Sequence, residues 1–179
     1  TAFEEGYAQI KSLEGAILAF ASRVQNATTS REVADRIHHL LAGGRSAVHA
    51  TKNLKDIRHN LTHFANAPQA SLHLQNEQFR TLSMAFNEAL AAIGGGAGKP
   101  ISIEALASAW QLAQREHDRI HADIYAHIRD GDVTANDSSS LLNVNREILN
   151  ANRAILIALR DFHLEPAEAE TLEQLPARQ

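Results

Sequence analysis

The 179-residue sequence has no cysteine, four prolines, one tryptophan and one methionine, and only 5% of its residues are aromatic. Without cysteine there is no disulfide framework and no thiolate metal site, which removes small stapled modules and zinc fingers. No apolar run approaches the roughly 20 residues that a membrane-spanning helix needs. A formal charge of −4 lacks a basic footprint, so no nucleic-acid partner is expected. There is no nucleophile elbow, no Ser-His-Asp grouping and no HExxH motif, and an enzyme is not expected. The stretch Gly94-Gly95-Gly96-Ala97-Gly98-Lys99 only superficially resembles a phosphate loop. Pro100 stands where Ser or Thr is required, and no strand signal precedes it. The length suits one domain, 1–179. Because Thr1 replaces an initiator Met, the chain is expected to be a processed product or an excised domain.

What is present is helix former. Alanine and leucine dominate, and apolar residues recur every three or four positions nearly everywhere. The pattern predicts an all-α fold, an elongated antiparallel bundle of about five helices over 3–26, 30–66, 72–93, 102–129 and 138–162, with a tail over 164–179. Helix one carries Phe3, Tyr7, Ile10, Leu13 or Glu14, Ile17, Phe20 or Ala21, and Val24. Thr29 and Glu32 have capping-box spacing for helix two, Ser102 is placed to cap helix four, and Asp130-Gly131-Asp132 ends it. The pair Gly43-Gly44 sits inside helix two and predicts a kink. Helix five has the strictest stripe, Leu141, Val144, Ile148, Ala151, Ile155, Ala158 and Phe162, suited to long antiparallel neighbours. Leu40-Leu41, Arg45 and Lys52 recur as Leu141-Leu142, Arg146 and Arg153. That repeat predicts two related α-hairpin units.

Ten histidines are many for this length. Asp56, His59 and His63 have helical metal-ligand spacing, and a divalent ion or iron is the cofactor they would hold. The helical wheel turns these three away from the stripe Leu54-Ile57-Leu61-Phe64. His117, by contrast, stands in the middle of Leu106-Trp110-Ala113-His117-Ile120-Ile124, with His121 at its edge, and is expected as a buried, hydrogen-bonded core residue. Arg45, Lys52, Lys55 and Arg58 form a loose basic strip, joined on helix five by Arg146 and Arg153, for an anion or interaction face. Lys52, Asp56, His59 and His63, with Asn143, Arg146, Asn150 and Arg153, give the long helices a second, polar face on which a homodimer is expected.

The run Ala50-Thr51-Lys52-Asn53-Leu54-Lys55-Asp56-Ile57-Arg58-His59-Asn60-Leu61, with Leu141-Leu142-Asn143-Val144-Asn145-Arg146-Glu147, resembles the PhoU-like C-terminal domain of bacterial sodium/phosphate cotransporter-related proteins. The resemblance covers about 30–163. It implies a PhoU-like bundle carried behind the membrane domain of a transporter in the same polypeptide, on the cytoplasmic face of the bacterial inner membrane. The implied role is non-catalytic regulation of phosphate uptake. The family's acidic metal motif is interrupted here: one register gives Lys55 and His59, the next Asp56 and Asn60. The competing class is a hemerythrin- or ferritin-like metal-binding bundle built on the histidines.

Overall fold

The computed structural model describes residues 2–25, 30–94 and 100–164. The described residues form five α-helices: α1 (Ala2–Gln25), α2 (Arg31–Asn66), α3 (Ala70–Ile93), α4 (Ile103–Asp130) and α5 (Ala135–His163). Among the described residues there is no strand beyond a single bridge between Gly94 and Ile101. No described helix is long and apolar enough to cross a membrane. The all-α expectation holds, with each boundary within about three residues, the usual slack at helix ends. The tail beyond Leu164 and the segment 95–99 lie outside the described residues, as does Thr29.

The helix ends follow from local chemistry. Val33 N–H donates to Ser30 Oγ at 3.3 Å, so Ser30 caps α2 in the structure. Ser102 accepts from Ala105 N–H at 3.1 Å, as its position predicts. Gly131 adopts φ 76°, and its N–H reaches the carbonyls of His127 and Ile128. This left-handed C-cap is open to glycine at little steric cost. Helix α5 begins at Ala135 rather than 138 because Thr134 caps it: Asp137 N–H donates to Thr134 Oγ1 at 3.1 Å, and Thr134 Oγ1 donates back to the Asp137 carboxylate at 2.6 Å.

The chain divides into two compact units whose boundary cuts both long helices: residues 1–51 with 154–179, and residues 52–153. The 52–153 unit is a four-helix bundle of the second half of α2, α3, α4 and the first part of α5. Its core joins Ile57 and Phe64 of α2, Leu72 and Phe79 of α3, Ile120 and Ile124 of α4, and Leu141, Val144 and Ile148 of α5. Leu54, expected in that core, is exposed. Gln75 lies fully buried on α3, at 0% exposure, with neither amide atom hydrogen-bonded.

In the other unit α2 and α5 meet closely at Gly43. A β-carbon there would lie 3.0 Å from Asp161 Cβ and 3.1 Å from the Phe162 ring. Nothing lies within 4 Å of the same position on Gly44. Helix α2 is therefore continuous through the pair, with one glycine serving contact. Arg36 donates to the carbonyls of Phe162 (3.1 Å) and Leu164 (2.9 Å), supplying donors to the last turn of α5. Cations are favoured at that end of a helix.

Gly44→Ala should stabilise the protein by about 0.5–1 kcal/mol through helix propensity alone. Gly43→Val should destabilise it by about 1–3 kcal/mol through overpacking against Asp161. Gln75→Leu should raise stability by about 1–3 kcal/mol, because it removes two desolvated, unpaired amide atoms. Urea midpoints at neutral pH check all three.

Candidate functional site

Helix α5 governs where polar chemistry collects. From Ser140 to Asp161 every residue except Arg146 is buried or half-buried. Its polar side chains must therefore find partners inside the protein. Several do so, at three levels.

At the start of α5, Asp137 is buried and lies 3.1 Å from His63 Nε2, in the last turn of α2. The Thr134 hydroxyl, and after it the His63 ring, hold the Asp137 carboxyl below the ordinary carboxylate range. The hydroxyl donates to the carboxylate and not to the imidazole, so the trio is a helix cap with a histidine partner rather than a nucleophile with its base. His63 is thus drawn to Asp137, while Asp56 and His59 are exposed. Among the described residues no three histidine, aspartate or glutamate side chains gather as a metal-ligand set.

In the middle of α5, Asn145 Nδ2 donates to the His117 carbonyl at 2.9 Å, and His117 Nδ1 approaches the Asn145 carbonyl at 3.4 Å. The sequence expectation of a hydrogen-bonded His117 is met, but the ring is half-buried rather than buried. It lies at the edge of the α4–α5 seam, where its polar neighbour supplies a backbone oxygen. The His121 and Tyr125 rings continue along α4, with centroids 5.8 Å from His117 to His121 and 4.8 Å from His121 to Tyr125. The residues Gln114, His117, His121 and Tyr125, three and four apart, share one helix face.

One further step along the seam, Arg153 Nη2 donates to Gln114 Oε1, and Gln114 Nε2 donates to Asp118 Oδ1 at 2.9 Å. Arg153 was expected on an outward polar stripe with Asn143, Arg146 and Asn150. Arg146 does face outward, bonded to Asn143 and Glu147. Arg153 instead is half-buried against α4, with its Nε buried and unpartnered. Of the remaining basic candidates, Arg45, Lys52 and Arg58 are exposed and Lys55 is half-buried. Asp137, Asn145 and Gln114 were not singled out by the sequence. Thr134-x-x-Asp137 spacing was the available signal for the first, whereas the other two depend on neighbours at least 28 positions away.

No family model, curated protein or solved structure matches the chain, and its function is argued from its own residues.

Acid titration should expose the Asp137 cap. A carboxyl whose folded pKa is depressed stabilises the fold above its unfolded value of about 3.9, and that stability is lost as pH falls through the folded value. Asp137→Asn should cost on the order of 1 kcal/mol at pH 7. The deficit relative to the parent should shrink as pH falls through the depressed folded value, where the parent carboxyl takes up its proton as well. Denaturant melts over a pH series from neutral into acid measure it.

Proposed function

We propose that the chain is a non-catalytic regulatory and interaction domain of a sodium/phosphate cotransporter-like protein, acting in the control of phosphate uptake. Its partners on this reading are the membrane domain of the same polypeptide and a second copy of itself. The site of action is the cytoplasmic face of the bacterial inner membrane. The PhoU-like resemblance of residues 50–61 and 141–147 supports the family part of the reading, and the five long helices are compatible with it.

The observation that carries the interaction part is on α1. Leu13, Ile17 and Phe20 are 61%, 37% and 60% exposed, and they continue the 3-4 spacing of Ile10 and Val24. Such a row is a coiled-coil seam without its neighbour. Helix α1 has Glu4 and Glu5 in its first turn and Arg23 in its last. Two copies packed antiparallel about a two-fold axis would set the acidic turn of each beside the basic turn of the other. A second copy therefore fits this seam in both apolar spacing and charge. Dimerisation is assigned to α1 rather than to the polar stripes of α2 and α5, since Arg153 and His63 are engaged within the chain.

Light scattering at tens of micromolar, a range set by the modest apolar area, should find a dimer. Leu13→Glu combined with Phe20→Glu should give a monomer of unchanged helicity by circular dichroism. A parent that stays monomeric sinks the dimer. The transporter reading is tested separately, by whether long apolar spans lie upstream of Thr1 in the complete polypeptide.

A further inference from the structure

Among the unpartnered buried groups described in the 52–153 unit, Arg153 is the charged one. Its Nε is buried and has no hydrogen-bond partner. No carboxylate among the described residues lies within ion-pair distance of it. Seven positions on in the same helix, the half-buried Arg160 donates from its own Nε to Asp161 at 2.8 Å. The fold thus supplies a carboxylate for one half-buried guanidinium and only a neutral amide oxygen, from Gln114 of α4, for the other. A buried cationic donor left unpaired is costly, and natural folds normally supply it with an anion or a water.

The geometry favours an anion. Guanidinium carries its Nε–H and one Nη–H as a parallel side-on fork that matches two oxygens of a carboxylate or phosphate. Gln114 Oε1 engages the Nη2 member and leaves the Nε member empty. A single amide oxygen fills half of a two-pronged site. Asp118, which accepts from the same Gln114 amide, is exposed. Arg153 and Gln114 are both half-buried, so part of each side chain reaches solvent.

We propose that the Nε–Nη2 edge of Arg153 binds an oxyanion in the α4–α5 seam, displacing the Gln114 side-chain oxygen. The ligand class is a small molecule or side chain bearing a phosphate or carboxylate group. The donor set shares that chemistry between both sources. The inference stands on Arg153 and its neighbours and does not rest on the transporter reading.

The test is a nitrogen-15 correlation spectrum tuned to arginine Nε–H, recorded on the whole chain. Sodium phosphate and sodium acetate are titrated to about 50 mM, a range chosen for millimolar affinity, against sodium chloride at matched ionic strength. One Nε–H resonance should shift saturably with phosphate or acetate and not with chloride. That resonance should vanish in Arg153→Lys, which keeps the charge and loses the fork. Gln114→Leu removes the competing acceptor and should tighten binding several-fold. A response to phosphate alone assigns a phosphate-bearing ligand, and one to acetate alone a carboxylate. An Nε–H that does not saturate, that moves equally with chloride, or whose affinity is unchanged in Gln114→Leu overturns the proposal. Should Arg153→Lys not fold, the Gln114→Leu comparison decides by itself.

Discussion

The structure depends on one constraint: α5 is covered along most of its length yet carries many polar side chains. A buried donor or acceptor left unpaired costs about 1–3 kcal/mol, so the polar groups of α5 that find partners tie the helix to particular neighbours. Asp137 ties its first turn to the end of α2 through His63. Asn145 ties its middle to α4 through the His117 backbone. Asp161 lies within ion-pair distance of His39 of α2 and is bonded by Arg160. The apolar stripe pulls the helices together; these bonds decide at which residue they meet.

The distinction matters because the buried side of α5 includes several alanines. Ala151, Ala154 and Ala158 are all buried. Small side chains allow close approach but make shallow ridges, and shallow ridges resist sliding weakly. Gly43 shows the same economy of volume on α2, where even a methyl group would press on Asp161. Sliding α2 by one turn, about 5.4 Å, would keep much of the apolar contact but strand Asp137 from His63 and press a larger side chain against Asp161. Specificity of register is a known use of buried polar groups in helical assemblies, and the positions of these pairs fit it.

How much of this was legible in the sequence follows from the range of each interaction. Helices and their ends are local, and Ser102, Gly131 and the α5 stripe could be read directly. Which face of a helix turns inward is not always local. On α1 the sequence leaves Leu13 against Glu14 and Phe20 against Ala21 undecided. The structure buries Ala21 and half-buries Glu14, with Leu13 and Phe20 outside. Two adjacent apolar stripes have the same period, and only the neighbouring helices choose between them. The histidines show a second limit. Spacing alone grouped His63 with Asp56 and His59, but its hydrogen-bond partner is 74 residues away, beyond any motif.

Arg153 and Arg160 bring these strands together. They are one heptad apart on one helix and both half-buried, and the sequence marks Arg153 only as one member of a loose basic strip. What separates them is the residue that follows or faces each: Asp161 beside the second, Gln114 opposite the first. A carboxylate makes the guanidinium a closed structural pair. A neutral amide engages one prong and leaves the charge uncompensated, which raises the free energy of the empty site relative to one holding an anion. Of the two, the Arg160 arrangement is therefore the one that the fold completes by itself. The Arg153 arrangement is the one in which a bound oxyanion would supply the missing charge.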